Sequence, residues 1–492
     1  MVSIDEYNNH IGKVYVKDPD FFQFSPCFSR CEGLSFTYAK YQGNKKNTNL
    51  NLFYLLAIFI AKILRDLFFL SITKSAKLNE VTKDTTLVFS YFDERSNNKG
   101  CLREEYFREI LENKQDVLCV YKFITPGFIS RGFKYTNLLS SLNKSYMAYS
   151  EYAFIDAVSV FKAIFKTMKH FIRFLKIKDN LSLDDDLASI LIKEHIKEIL
   201  NGVVYQHYLQ ELTFNKVLSK QPKLILYVWE NQPWNRILES SKKIFSPLTV
   251  SKGFQHTGFC KKLLQHYPSK LESSLNSYPD QIICNGKINQ SELKKYYPNV
   301  DVIVGSALRQ NHLLGKQNSI PELLDYRKIS NIAFAFSWDQ TNYSKIISDL
   351  EDIPSNIKIY LKFHPNYPEW LKKGDLPDNF INSRLSWEEL SAICPLVLVN
   401  DNSVMFEGYF YGMHTAVYDL FDDMKLDKRD FDSPIPHLVR KDLQNLDKSD
   451  LIEIINNSTE KVFSTKYLDD YFIDRGLKES KEIFFGIQSV KI

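Results

Sequence analysis

The sequence predicts an α/β chain in two halves, each with its own parallel sheet covered by helices. Three observations carry this reading. From Thr85 onward, short apolar runs alternate with helix-period segments. A polar, weakly patterned stretch from Arg309 to Ser330 breaks that rhythm once, as a linker would, and afterwards it restarts. A long helical stretch, residues 151 to 220, interrupts the first half alone.

The elements follow in order. "TTLVFSYF" (85–92) reads as a strand, "LREEYFREILEN" as a helix and "DVLCVYKFI" (116–124) as the next strand. After the helical stretch come "KLILYVWE" (223–230), a helix from Trp234, "LTVSKGFQH" (248–256), "DQIICNG" (280–286), the helix "SELKKYY" and "DVIVGS" (301–306). The second half runs "NIAFAFS" (331–337), helix, "IKIYLKFHP" (357–365), helix, "PLVLVND" (395–401), the helix "SVMFEGYFYG" and "TAVYDL" (415–420). The domain expectation is an extension over 1–80, a first Rossmann-like domain over 81–310 with its insertion near 151–220, and a linker over 311–330. A second Rossmann-like domain follows over 331–435, then C-terminal helices over 436–492 that pack back on the first domain.

Composition narrows the function classes. The chain has 492 residues, 44% hydrophobic and 25% charged, with a formal charge of only +4, so no global basic field argues for nucleic acid. Its seven cysteines are scattered and often inside apolar runs, the usage of a reducing compartment. Cys27 and Cys31 lack a second pair to complete a metal site, so no metal or other cofactor is expected. The first residues show no basic region followed by an apolar core, and the expected location is the cytoplasm, peripheral on the membrane's inner face.

Two segments bear on a membrane. "NLFYLLAIFIAKILRDLFFLSI" (51–72) is long enough to span, but Lys62, Arg65 and Asp66 form one polar stripe, which fits a helix lying on a membrane surface or packed on a core. In "FKAIFKTMKHFIRFLKIK", Phe161, Ile164, Phe165, Met168, Ile172 and Leu175 share one face. Lys162, Lys166, Lys169, Arg173 and Lys176 line its flank without an acid between them. Packing on its own domain and seating on anionic lipid stand side by side as readings of that helix.

Open parallel sheets bind ligands at the carboxyl ends of their strands. At those ends lie Gln255 and His256; Gly305, Ser306 and Arg309; His364; and Asn400, Asp401, Asn402 and Ser403. Ending strands and capping helices is ordinary work for Asn, Asp and Ser. The conjunction is more informative: His364, its turn fixed by Pro365, lies one βα unit before Asn402, Ser403 and Glu407. His364 can donate to a phosphate oxygen, Ser403 and the backbone N–H groups beside it can bind the same phosphate, and Glu407 can reach a ribose hydroxyl. The G-x-G-x-x-G and Walker patterns are absent, which weakens dinucleotide and P-loop readings.

"KFHPNYP" and "NDNSVMFEGYFYG", in a chain of two Rossmann-like halves, resemble the donor-binding half of GT-B glycosyltransferases, especially sialyl and Kdo transferases that use CMP-sugars. "YFDERSNNKGCLREEYF", "YVWENQPWNRIL" and "GFQHTGF" resemble a family of bacterial surface-carbohydrate (capsule or O-antigen) biosynthesis proteins. The resemblance implies two domains facing across a cleft, a nucleotide-sugar donor, a glycan or lipid-linked glycan acceptor, and inverting sugar transfer without a metal. It also implies donor contacts from His364, Pro365, Asn402, Ser403 and Glu407, to which Gly305, Ser306 and Arg309 are added from their strand end. Such chemistry needs a base for the acceptor proton and a donor to the leaving phosphate. Glu230, ending "LILYVWE", is the first choice of base, with His256 the alternative and Asp93 or Glu94 behind them. Asp339 is isolated and forms no D-x-D pair. Asn402–Ser403–Val404 carries one hydroxyl where the sialyltransferase motif carries two. Polyol-phosphate transfer of the teichoic-acid type and a non-catalytic scaffold are the rival readings.

Overall fold

The computed structural model describes residues 52–73, 80–92, 97–98, 101–102, 104–112, 114, 116–123, 139, 147–177, 185–256, 268, 277–314, 320–337, 343–364, 376–400, 404–419 and 434–486. Among these, two parallel sheets organise the chain. The first holds β1 (Thr86–Phe92), β2 (Val117–Phe123), β3 (Met147–Ser150), β4 (Leu224–Val228), β5 (Val250–Gln255), β6 (Gln281–Cys284) and β7 (Asp301–Val304) in the order β3-β2-β1-β4-β5-β6-β7. The second holds β8 (Asn331–Ala335), β9 (Lys358–Lys362), β10 (Phe380–Asn382), β11 (Leu396–Val399), β12 (His414–Tyr418) and β13 (His437–Leu438) in the order β10-β9-β8-β11-β12-β13. Each sheet grows outward from its first strand and then reverses to that strand's other side, the doubly wound Rossmann-like arrangement.

Both faces of each sheet are covered, and the sequence shows why the strands read as unbroken apolar runs. In β1, Leu87 and Phe89 enter one core cluster while Val88 and Phe92 enter the other. In β8, Ile332 and Phe334 face one layer, Ala333 and Ala335 the opposite one. Alternate side chains point to opposite faces, so a strand buried on both sides needs apolar residues throughout. The short strands β3, β10 and β13 sit at or near sheet edges and escaped the sequence reading, having too few residues to show a pattern.

Ahead of the first sheet lies α1 (Leu52–Ile72), and the helical stretch of the insertion resolves into α2 (Ala157–Ile177), α3 (Asp185–Leu200) and α4 (Val203–Leu218). Helix α4 packs on α2, α3 and α5 (Pro233–Phe245), joining the insertion to the first sheet. The expected helix in "LREEYFREILEN" is instead a bend followed by a 3-10 turn, Arg108–Leu111. The Glu104 carboxylate draws the chain aside: it accepts from the Ser90 hydroxyl at 2.6 Å and from the backbone N–H groups of Tyr106 and Phe107.

Helix α1 packs through its polar stripe. Asp66 is fully buried and accepts from Arg65 at 2.7 Å and from the Tyr152 hydroxyl at 2.9 Å, while Phe69 stacks on the Tyr152 ring at 5.0 Å. Burial first, against the pull of Arg65, holds the Asp66 carboxyl above its ordinary range. Among the described residues no helix is long and apolar enough to cross a membrane.

The last described helix lies against the first sheet. Helix α6 (Gly476–Phe485) returns to the first sheet, where Phe484 meets Phe254 at 5.1 Å and Lys252 donates to the carbonyls of Ile483 and Gly486. Ahead of it, Ile473 exchanges backbone bonds with Asn285 and Ala307.

Candidate active site

In a doubly wound sheet, the strands on either side of the reversal have diverging connections, and a crevice opens at their carboxyl ends. In the first sheet that point lies between β1 and β4. Their register pairs Phe89 with Tyr227, so Tyr91 and Phe92 lie level with Trp229 and Glu230. Glu230 therefore stands at the crevice.

The turn that presents Glu230 is tightly held. Asn235, in the first turn of α5, accepts from the Glu230 and Gln232 backbone N–H groups at 3.3 and 2.9 Å and donates to the Val228 carbonyl at 3.1 Å. Asn231 takes a positive φ of 51°, a conformation asparagine tolerates better than most residues, and Pro233 starts the helix where its missing N–H costs nothing. Trp234 donates its indole N–H to the Tyr91 hydroxyl at 2.8 Å, closing one wall.

His256 follows β5 and brings its Nε2 to 3.4 Å from Glu230 Oε1. Its ring meets the edge of Tyr106 at 4.6 Å, and Tyr106 in turn contacts Tyr91. Burial lifts the Glu230 carboxyl from 4.5 to about 7, against the opposing pull of Arg309, Lys122 and a Gln232 hydrogen bond. A carboxyl with that value beside an imidazole can hold or release a proton near neutrality. Lys122, at the end of β2, lies 5.6 Å from the Trp234 ring and supplies positive charge to the crevice.

The structure thus brings Glu230, His256 and Arg309 together and adds Tyr91, Tyr106, Lys122 and Trp234, which the sequence reading missed. Lys122 and Trp234 do stand at a strand end and a helix start. The Tyr106 contact depends on the bend at Glu104 and left no local signal. Gly305 and Ser306 need correction as ligand-binding candidates. A Cβ on Gly305 would fall 2.3 Å from Ile283 Cγ2, so this glycine allows β6 and β7 to pack. Ser306 is fully buried, its hydroxyl 2.6 Å from that of Ser480 and accepting from the Arg475 N–H at 3.0 Å, so it anchors α6. Gln255 is likewise buried and accepts from the Asn285 N–H.

The second sheet has its reversal between β8 and β11. Lys362 of β9 and Val399 of β11 flank Ala335 of β8 in register. His364 follows β9 and Asn400 follows β11, on opposite sides of the β8 end. Two strand spacings put those flanks about 10 Å apart. Phe363 stacks on Phe336 at 4.5 Å, fixing the backbone that delivers a half-buried His364. Asn400 turns its amide to the Tyr418 carbonyl at 3.3 Å. Glu407 lies in the short helix Val404–Phe410, where its charge acts on Tyr411. Pro365, Asp401, Asn402, Ser403, Asp93, Glu94 and Asp339 lie outside the described residues, as do Cys27 and Cys31. Among the described residues no group of three or more His, Cys, Asp or Glu is placed to hold a metal ion.

The sequence matches no protein-family model and no curated protein. Among solved structures, it is similar to the wall teichoic acid polymerase TagF, at 13% identity over 89% of this chain and 97% of that one, with a TM-score of 0.37. It is also similar to a calicheamicin glycosyltransferase, at 8% identity over 83% and 100% of the two chains and a TM-score of 0.41. A UDP-N-acetylglucosamine 2-epimerase gives 9% identity over 78% and 98%, with a TM-score of 0.38. Likeness at this level assigns neither a substrate nor the role of any residue.

Proposed function

We propose that this chain is an inverting GT-B-type glycosyltransferase, taking a sugar from a nucleotide donor at the second sheet to a glycan acceptor at the first. The observation that carries the reading is the Glu230–His256 pair at the reversal of the first sheet, with the Glu230 carboxyl held at about 7. In this mechanism the Glu230 carboxylate takes the proton of an acceptor hydroxyl as that oxygen attacks the anomeric carbon. The bond from that carbon to the nucleotide phosphate breaks, and the electron pair leaves with the phosphate oxygen. His256 orients the carboxylate. His364 donates to the departing phosphate, with Ser403, Asn402 and Glu407 as its partners in donor binding. The His364–Pro365 pair and Ser403 make a CMP-linked nonulosonate, sialic acid or Kdo, the donor we favour, and a bacterial surface glycan the acceptor.

The test is a thermal-shift panel with CMP, CDP, UDP and GDP, followed by transfer assays with the nucleotide that binds. A ligand at a hundred times its Kd stabilises the folded protein by about 2.7 kcal/mol. The expected result is a shift by CMP that His364→Ala removes. No shift by any of the four would refute a nucleotide-sugar enzyme, and phosphate retained in the product would replace sugar transfer by polyol-phosphate transfer.

A further inference from the structure

A helix that meets water ordinarily turns its charges outward and its apolar stripe inward. Helix α1 departs from this: Leu55 and Phe69 are buried and Phe59, Ile63 and Leu67 pack on the core, yet a second apolar side is left outside. Its Arg65–Asp66 pair faces Tyr152 in the interior, while Phe53 is 85% exposed and Ile60 and Leu64 are more than half exposed. Helix α2 packs against α1 and repeats the display: Phe161, Phe165 and Ile172 point outward, the two phenylalanines at 65% and 71% exposure. Ile164, on the same stripe in sequence, turns inward to the core. Two helices in contact thus each present large apolar side chains to water, and exposed apolar surface of this kind marks docking surfaces.

The flanking charge identifies what docks. Lys162, Lys169, Arg173 and Lys176 are exposed along the edge of the α2 stripe. Helix α2 contains no acidic residue, and the only acid of α1, Asp66, is buried. Lys166 is set apart, since it pairs with Glu211 of α4. The nearest acids, Asp156 just ahead of α2 and Glu211 of α4, are each paired with a lysine, Lys216 and Lys166; an apolar stripe with such a basic border complements an anionic bilayer, apolar side chains entering the acyl boundary and lysines meeting the headgroups. We propose that α1 and α2 together seat this chain on the surface of an anionic lipid bilayer, lying in its interface without crossing it. The proposal stands apart from the reading of Glu230 and His364, because it uses none of the active-site residues.

The full chain is tested by flotation with phosphatidylcholine vesicles and with vesicles in which about 30% of the lipid is phosphatidylglycerol, at low and high salt. The expected result is flotation with the anionic vesicles alone, weakened by salt. Phe161→Ser with Phe165→Ser should abolish it. The triple change Lys162→Glu, Lys169→Glu and Lys176→Glu should lower partitioning by roughly 100-fold or more, since each lysine near such a surface contributes about a factor of five. Ile172→Cys carrying a polarity-sensitive fluorophore should shift to the blue on the same vesicles. The proposal is overturned if the wild-type chain stays with the unbound fraction or if the phenylalanine variant floats like wild type. Sedimentation showing a dimer that this variant loses would assign the face to a second copy instead. A lower melting temperature of the variant without vesicles would mean that another part of the chain covers it.

Discussion

Glu230→Gln separates the cost of holding this carboxyl from its use. The folded chain raises the group from 4.5 to about 7, chiefly by burial. Between those values the folded state binds the proton more tightly than the unfolded state, so stability falls as pH rises from about 4.5 to about 7. At 1.36 kcal/mol per unit, the burden of the charged form is about 3 kcal/mol at pH 8 and less than about 1 kcal/mol at pH 5. Glutamine keeps the shape and lacks the charge. Chemical denaturation at the two pH values should therefore find the variant more stable than wild type at pH 8, by roughly 3 kcal/mol, and close to it at pH 5. Sugar transfer, measured alongside, should fall by about 100-fold or more with the loss of a general base. A stability difference that is flat with pH, or a variant less stable at pH 8, would refute the buried-carboxyl argument. Undiminished transfer would refute the base assignment while leaving the stability argument standing.

Three further predictions concern the frame around the site. A Cβ on Gly253 would stand 2.8 Å from the Cβ of Trp229, so Gly253→Ala should destabilise by about 1–3 kcal/mol and disturb the neighbouring Glu230, read as a lower denaturation midpoint with reduced activity. Lys242, buried, donates to Ser251 at 2.9 Å and to Asp280 and lies 3.7 Å from Glu239, whose carboxyl burial raises to about 7. Lys242→Met should cost about 3 kcal/mol at pH 8 and less at pH 5, where Glu239 takes up a proton. His170 and His195 meet through their Nε2 atoms at 3.0 Å inside the helical insertion, and burial lowers both to about 3. The unfolded chain takes up those protons below about 6.5, so stability should fall as pH drops from there towards 3, with a shallower slope in His170→Phe by circular dichroism.

The sequence by itself determined the two-sheet α/β architecture, because strands buried on both faces must be apolar without interruption and the helices between them carry a different period. It also marked Glu230, His256 and His364, since a strand end followed by a helix start is legible as a local change of pattern. What it could not determine is which of those ends meet. Glu230 and His256 are 26 positions apart in sequence and 3.4 Å apart in space because β4 and β5 are neighbours in the sheet. Ser306 looked equally available at its own strand end, yet the returning C-terminal helix, far along the chain, occupies its hydroxyl. Local pattern cannot report a partner that arrives 174 residues later. Helix α1 shows the same limit most plainly. Its period is visible in the sequence, but a helix apolar on nearly every side has no inside or outside of its own, and only the tertiary packing decided that Asp66 and Phe69 face Tyr152 while Phe53, Ile60 and Leu64 face out.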